Sequence, residues 1–277
     1  MPTGCAQPEK PGPPTVELPP FALTQGRPSN APRDPSAATP SVFHVEVFIL
    51  SAPMGTFSGN ESLWKRIDEQ CLDPGTSDLL QKNGFRVGVA PVGELEGLAQ
   101  YMQDAAPVQS FSVAGAEMKD VEVEMKTNVP EQVIFYFNKQ NVPVGNTYDK
   151  SENLMNVSFE PAPRKPGTLR MKFCPMVREL KKKMQFTPMN DSYDIQFVNP
   201  EKYYDLNFVV DIPSDSFLLV TPSTSASLPS IIGRGFLIKD SPTEMQEQML
   251  LIVPQSFHPS PKSSRQQQPQ AAPQKKK

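Results

Sequence analysis

A two-residue rhythm that takes over after Pro107 limits the fold more than any other feature of the chain. Val121, Val123 and Met125 alternate with Glu122, Glu124 and Lys126, and Leu169, Met171 and Phe173 alternate with Arg170 and Lys172. Successive side chains of a strand point to opposite faces, so this rhythm puts one face on a core and the other in water. Antiparallel sheets have that character, whereas parallel sheets are covered on both sides. Segments 108–114, 119–127, 132–138, 153–159, 168–177, 193–198, 204–212, 216–221, 231–238 and 248–253 all read as strands. Turn signals such as Asn141-Val142-Pro143, Asn199-Pro200 and Pro213-Ser214-Asp215 separate them, which predicts a meander or sandwich.

Residues 42–50 read as a further strand, buried on both faces near its end. A helix is expected over 60–70, capped by Ser58 or Asn60, with Leu63, Trp64, Ile67 and Cys71 at helical spacing. Trp64 reads as an anchor onto the sheet. A second helix, capped by Thr76 or Ser77, should stop at Asn83-Gly84, and a short strand follows at 85–90. Pro91 and Glu94 open a third helix carrying Leu95, Leu98, Ala99 and Met102 on one face. The expected fold class is α+β: mainly antiparallel sheet, with a small helical module at 60–105 ahead of a β-rich part at 108–254.

Proline marks the limits of this body. Of 32 prolines, eleven lie in residues 1–41 and four in 257–277. Neither end has an apolar period, so the reading is a disordered proline-rich tether at 1–41, a single body at 42–256 and a disordered basic tail at 257–277. The tether is charge-balanced and the tail holds +5, so the body holds −8 of a chain whose net charge is −3. An acidic body lacks the basic face that phosphate binding needs, and no nucleic-acid partner is expected. No run of eighteen apolar residues occurs, so no spanning helix is expected.

The residues of acid–base and metal chemistry are sparse. The only histidines are His44, within a strand, and His258, in the tail. A Ser-His-Asp or Cys-His arrangement would depend on His44, and a histidine-built zinc site has too few ligands. Gly84-Phe-Arg-Val-Gly88 lacks the glycine spacing and following lysine of a phosphate loop. Glu94 with Glu96, and Glu122 with Glu124, read as solvated faces, not as carboxylates converging in a cleft. Lys181-Lys182-Lys183 reads as a solvated tip between two strands. Neither a cofactor nor a metal is expected, and an enzyme is the least favoured reading. The aromatic group Phe135, Phe137, Tyr203 and Tyr204 is the candidate binding surface, with core packing as the competing reading. Cys71 and Cys174 could pair, or act as buried thiols.

Several segments resemble known bacterial envelope proteins. Met1-Pro-Thr-Gly-Cys5-Ala-Gln resembles the end of a lipoprotein signal, where a small residue precedes the cysteine that receives lipid and a flexible tether follows. The apolar stretch of such a signal is absent before Cys5. Either translation starts further upstream, or the match is accidental. The segment 228–236, Leu-Pro-Ser-Ile-Ile-Gly-Arg-Gly-Phe, followed by Gln248-Met-Leu-Leu-Ile-Val-Pro254, resembles the closing part of the secretin domain. Val45-Glu-Val-Phe-Ile-Leu50 is similar to the strand that opens such domains, and 167–177 to the later strand ending in Pro-x-Val. Residues 209–213 with 217–220 look like the hairpin before the secretin gate. The departures are Thr221-Pro222 where secretin gates carry a glycine pair, the helical insert at 60–105, and the missing ring-building repeats.

The resemblance implies a non-catalytic structural or interaction protein of the cell envelope, periplasmic or outer-membrane associated. It would dock on other envelope proteins or on itself, with possible membrane attachment through Cys5. The alternative is a periplasmic peptide- or glycan-binding protein. Limited proteolysis should rapidly remove about 40 residues from the front and about 20 from the back. Mass spectrometry that finds both ends intact in the resistant fragment would refute these boundaries.

Overall fold

The computed structural model describes residues 42–99, 105–115, 119–187, 190–197, 200–240 and 244–257, all within one compact unit. The expected tether, Cys5, Met102 and residues 258–277 of the expected tail lie outside the described residues, while Phe257, expected in the tail, ends the last strand. The strands are β1 (Val42–Pro53), β2 (Phe85–Pro91), β3 (Ala106–Gly115), β4 (Lys119–Val129), β5 (Gln132–Phe137), β6 (Pro143–Tyr148) and β7 (Ser151–Pro161). They continue with β8 (Thr168–Thr187), β9 (Asn190–Phe197), β10 (Glu201–Lys202), β11 (Phe208–Pro213), β12 (Ser216–Pro222), β13 (Ile238–Asp240) and β14 (Met245–Phe257). Short helices α1 (Glu61–Trp64), α2 (Pro74–Lys82), α3 (Leu95–Ala99) and α4 (Ile232–Leu237) complete the α+β fold.

Every described strand pairing is antiparallel apart from one isolated bridge. The first sheet runs β2-β12-β14-β1-β3, with β13 added to β14. The second runs β10-β8-β7-β4, and β8 also receives β11 and β9. The sheets pack face to face. Val45, Val47 and Ile252 of the first close on Val123, Val157, Phe159 and Met171 of the second around one small apolar void. The alternation along β4 and β8 supplies the second half of this core: Val123, Met125, Leu169, Met171 and Phe173 are all buried. Phe173 stacks on Phe208 with ring centroids 4.7 Å apart.

Consecutive strands lie in opposite sheets of the sandwich at two points, and a hairpin was expected at the second. Strand β3 belongs to the first sheet and β4 to the second. Likewise β11 pairs with β8 while β12 pairs with β14 and β2, so 209–213 and 217–220 do not form a hairpin. The lysines at 181–183 are not a tip either: they lie in the second half of β8, opposite β9.

The central strand of the first sheet is β14, between β12 and β1. Residues Met249–Val253 are buried, as a continuous apolar run covered on both faces requires. The same strand buries Glu247, whose carboxylate accepts the backbone N–H of Phe57 at 2.8 Å and of Ser58 at 3.0 Å, and the Ser58 hydroxyl. An unpartnered carboxylate there would be costly, and these donors tie the loop after β1 to the middle of the sheet.

The helical region is more broken than its apolar spacing predicts. A single helix over 60–70 is replaced by α1 and a 3-10 turn at Glu69–Cys71. Between them Asp68 and Val89 exchange backbone hydrogen bonds of 2.8 and 3.0 Å, which pulls the chain out of the helix and onto the edge of β2. Asn60 caps α1, and Asp73, not Thr76 or Ser77, caps α2 with Pro74 at its first position. Trp64 is buried, its indole N–H donates to the Phe57 carbonyl at 3.0 Å, and the Arg86 guanidinium lies 4.1 Å from its ring. Cys71 and Cys174 are both free thiols; Cys174 is buried and Cys71 partly exposed. Burial and Asp68 push the Cys71 thiol up to about 11.

The largest departure is α4. Residues 231–238 read as a strand, yet Ile232–Leu237 is helical. Gly84, at φ +89°, closes α2, and its backbone lies against Gly233 of α4. A Cβ at position 233 would overlap the Gly84 carbonyl, whereas one at 235 meets nothing nearer than 3.7 Å. Gly233→Ala should therefore cost about 3 kcal/mol or more through overpacking against backbone. Gly235→Ala should be neutral or slightly stabilising, because alanine is the better helix former. Chemical denaturation of the two variants checks this, and equal midpoints would refute the close contact.

Candidate functional site

Two surfaces stand out, both built around the short β5–β6 hairpin. Asn83, at the end of α2, is fully buried and supplies the hairpin with a substitute strand partner. Its Oδ1 accepts the Phe137 N–H at 2.7 Å and its Nδ2 donates to the Phe137 carbonyl at 2.9 Å. On the same strand, the Phe135 N–H donates to the Ser230 carbonyl at 2.7 Å, forming a bridge to Ile231 just ahead of α4. Asn153 of β7 completes the attachment: its amide exchanges hydrogen bonds with Gln132 and donates to the Gly235 carbonyl at 2.6 Å.

The four aromatic residues singled out in the sequence do not share one surface. Ile134 and Tyr136 face inward, with Tyr136 set edge-on against Tyr203 at 5.0 Å. Tyr203 is only 2 % exposed, so its ring is core and not part of a binding platform. Its hydroxyl meets that of Tyr148 at 2.7 Å, and Tyr148 donates to Glu201 at 2.7 Å. Burial pushes the Tyr148 phenol up to about 12 and that of Tyr203 higher still. Tyr204, the next residue, is 67 % exposed.

The outer face of the hairpin keeps Phe135 and Phe137. Phe135 is 47 % exposed, and its ring lies across Gly145 of the facing strand, filling the space a Cβ would take. Val133, two residues back, is 39 % exposed. The Lys82 ammonium sits 3.8 Å above the Phe137 ring.

The second surface is a cleft of about 710 Å³ at one end of the sandwich. Ile49, Gln109 and Gln248 of the first sheet line one side, β4 from Glu124 to Lys126 lines another, and α4 with β13 closes it through Arg234, Lys239 and Asp240. The β4–β7 ladder slips twice here, between Glu124 and Lys126 and again before Val129, with Asn128 at φ +52°. Such bulges re-aim side chains. The Lys126 ammonium donates to the Arg234 carbonyl at 3.3 Å. Burial brings its pKa down to about 8; Asp240 opposes the shift, and Arg234 and Lys239 add to it. Arg234 pairs with Asp240 at 2.9 Å. Gln248 is 1 % exposed, and its Oε1 has no hydrogen-bond partner among the described residues.

Of the residues of this cleft, Glu124 was read with Glu122 as part of a solvated face, and Lys126, Arg234 and Gln248 were not read as site residues. Lys126 continued a regular wet face, and only the bulge, which leaves no mark in the apolar pattern, separates it from Glu122 and Glu124. His44 lies on the outer face of β1, half-buried, opposite Gln255 and Ala114. Among the described residues no group of three histidine, cysteine or acidic side chains could hold a metal ion, and no helix is long and apolar enough to cross a membrane.

No protein-family model and no curated protein matches the chain. Among solved structures it is similar to the secretin-domain β-barrel of InvG from the Salmonella SPI-1 injectisome. The identity is 10 %, the match covers 81 % of this chain and 65 % of that one, and the TM-score is 0.23. A second InvG structure, from the same type III secretion injectisome, matches at 9 % identity over 81 % of this chain and 66 % of that chain, with TM-score 0.18. InvG in the basal body with PrgH and PrgK matches at 9 % identity and TM-score 0.18, with 46 % of that chain covered. The chain thus spans less than two thirds of each of these chains.

The lowered Lys126 pKa fixes the sign of a pH effect. Between about 8 and the ordinary lysine value of 10.5, the unfolded chain holds more protons on this group than the folded one, so stability rises with pH there. Below that window the buried ammonium is a standing cost. Lys126→Met should stabilise the protein by about 1–3 kcal/mol at pH 7, the gain shrinking as pH approaches 10.5. Melting curves of both proteins across this range check it, and a variant that is less stable at pH 7 would contradict it.

Proposed function

We propose that the protein is a non-catalytic interaction module of the bacterial cell envelope, secretin-like in the order of its strand segments, which docks on a partner protein through the outer face of the β5–β6 hairpin. The observation that carries this reading is Phe135. A large aromatic ring is held 47 % exposed beside an exposed valine, on a strand whose one edge is held by Asn83 and Ser230 and whose other edge pairs with β6. Apolar side chains on a rigid support make the anchor of a docking surface, since little conformational freedom is lost on binding. Strand β6 pairs only with β5 among the described residues, which leaves an edge beside the same patch.

The envelope location and membrane attachment through Cys5 rest on the lipoprotein-like context of that cysteine and on the secretin-like segments. The alternative, a binding protein for peptide or glycan, draws support from the cleft at Lys126.

A photocrosslinking residue of phenylalanine shape at position 135, introduced in the cells that make the protein, tests the docking role. The expected result is a discrete adduct in the envelope fraction, present with the parent sequence at 133 and lost with Val133→Asp. An adduct of twice the chain mass would make the partner a second copy of the same chain. Recovery in the cytosolic fraction with no adduct would overturn the reading.

A further inference from the structure

We propose that the open edge of β6 takes an extended segment of the partner protein as an added antiparallel strand, whose alternate apolar side chains pack beside Phe135. This names the kind of partner that fits the hairpin and rests on its docking role.

The direction of the backbone groups carries the inference. The Phe135 N–H donates to the Ser230 carbonyl, and the Asn83 amide takes both the N–H and the carbonyl of Phe137. These groups therefore point away from β6. In an antiparallel pair, facing residues alternate between those that exchange hydrogen bonds and those that do not. Phe135 faces Gly145, and Val133 faces Thr147 two residues on, so both pairs are of the second kind. Gly145 and Thr147 thus turn their N–H and C=O groups outward from the hairpin. Both residues are exposed, and neither has a backbone partner on that side among the described residues. Two donors and two acceptors at strand spacing are the complement of an extended backbone.

The edge is also unguarded. Open edges are ordinarily blunted by lysine, proline, bulges or inward charges. Pro143 opens β6, but Val144-Gly-Asn-Thr-Tyr148 carries no charge, and its ladder with β5 runs without a register shift. Facing residues of an antiparallel pair share a face, so side chains opposite Gly145 and Thr147 would lie on the outer side of the hairpin. There the Phe135 ring fills the space of the missing Gly145 side chain, and Val142, just before β6, is 51 % exposed. An incoming apolar side chain meets an aromatic surface at that point.

The length of the edge selects the occupant. Strand β6 has six residues, about 20 Å, and offers both backbone groups at Gly145 and Thr147. Edge pairing between two rigid copies over that length falls well short of the roughly 1,200–2,000 Å² that a stable interface buries. A flexible segment can pair along the edge and lay its side chains over the Phe135 face as well.

Fluorescence anisotropy of the full chain with a labelled peptide of alternating valine and threonine, closed by a lysine at each end, tests the site. Saturable binding is expected. The valines, lying on the outer face, are the residues whose amides pair with β6. A peptide N-methylated at the valines should therefore lose binding, and one N-methylated at the threonines should keep it. Thr147→Pro removes one outward N–H, a change an edge strand tolerates, and should weaken binding about tenfold with the melting temperature nearly unchanged. No saturation would overturn the proposal, and so would an equal or reversed response to the two methylated peptides, a result that needs no variant to fold. A dimer of the free chain that Thr147→Pro dissolves would make the edge a self-association site and overturn the assignment to a partner segment. The photocrosslink at position 135 separates this proposal from the docking role. An adduct that persists with Thr147→Pro would sink strand addition and leave the docking face standing, whereas no adduct with the parent chain would sink docking itself.

Discussion

The backbone of Gly84 lies directly against that of Gly233, and much of the molecule hangs on this contact. The Gly233 N–H donates to the Asn83 carbonyl at 2.8 Å, and the Ser223 N–H donates to the Gly84 carbonyl at 3.0 Å. Three segments far apart in the chain, the end of α2, the turn after β12 and the start of α4, are thereby fixed around one glycine pair. From there the order spreads outward. The Asn83 side chain holds β5, and Ser230, just ahead of α4, holds the same edge of the strand two residues earlier, opposite the edge that pairs with β6. The hairpin is thus bound to neither sheet by a continuous ladder, but by the Asn83 amide, the Ser230 carbonyl and side-chain bonds such as those of Gln132 with Asn153 and Tyr148 with Glu201. A two-stranded hairpin is marginal on its own, so its order comes from these clamps and from Ile134 and Tyr136 beneath it.

The same contact sets the geometry of the cleft. Helix α4 carries Arg234 and presents its carbonyl to Lys126, while the bulge in β4 delivers that lysine from the other side. Exposed apolar face and polar cleft are therefore two products of one arrangement, and they meet at Val133, which lines the cleft and is exposed beside Phe135. A change that loosened Gly233 from Gly84 would disturb both together, although neither glycine is in a position to touch a ligand.

The sequence made the sheet content and the broad boundaries of most strands legible, because alternation reports burial directly. Residues 121–125 and 169–173 alternate as expected, and 250–253 are buried on both faces. Long-range constraints are what the local pattern missed. The 231–238 segment has a strand composition, yet it is helical where Gly233 must lie against Gly84. Strand β6 is absent from the expected strands because Pro143-Val-Gly-Asn-Thr-Tyr148 has no apolar period, and it exists because β5 faces it across the hairpin and Phe135 covers Gly145. Phe135 and Phe137 share one face of β5, as strand alternation requires, whereas Tyr203 is buried and Tyr204 exposed. That β3 and β4, and likewise β11 and β12, belong to different sheets had no local signal, since alternation reports burial and not the pairing partner. Lys126 remained hidden because a bulge changes where a side chain goes without changing what precedes or follows it.

The position of β14 carries a consequence for how the molecule comes into being. Strands β1 and β14 pair from Val42 with Phe257 to Pro53 with Gln246, so the middle of the first sheet joins segments about two hundred residues apart. The second sheet draws β4, β7, β8, β10 and β11 from within residues 119–213 and can assemble as soon as that stretch leaves the ribosome. The first sheet has no centre until residue 257 has been synthesised. Until then β1 exposes a long apolar edge, and β12 and β2 have only each other. Non-local pairing of this kind is slow, because loop closure must be met before the contacts reward it. Throughout that interval the nascent chain is half a sandwich with its greasy inner face open, the state in which a chain most needs a chaperone or a neighbour to shield it.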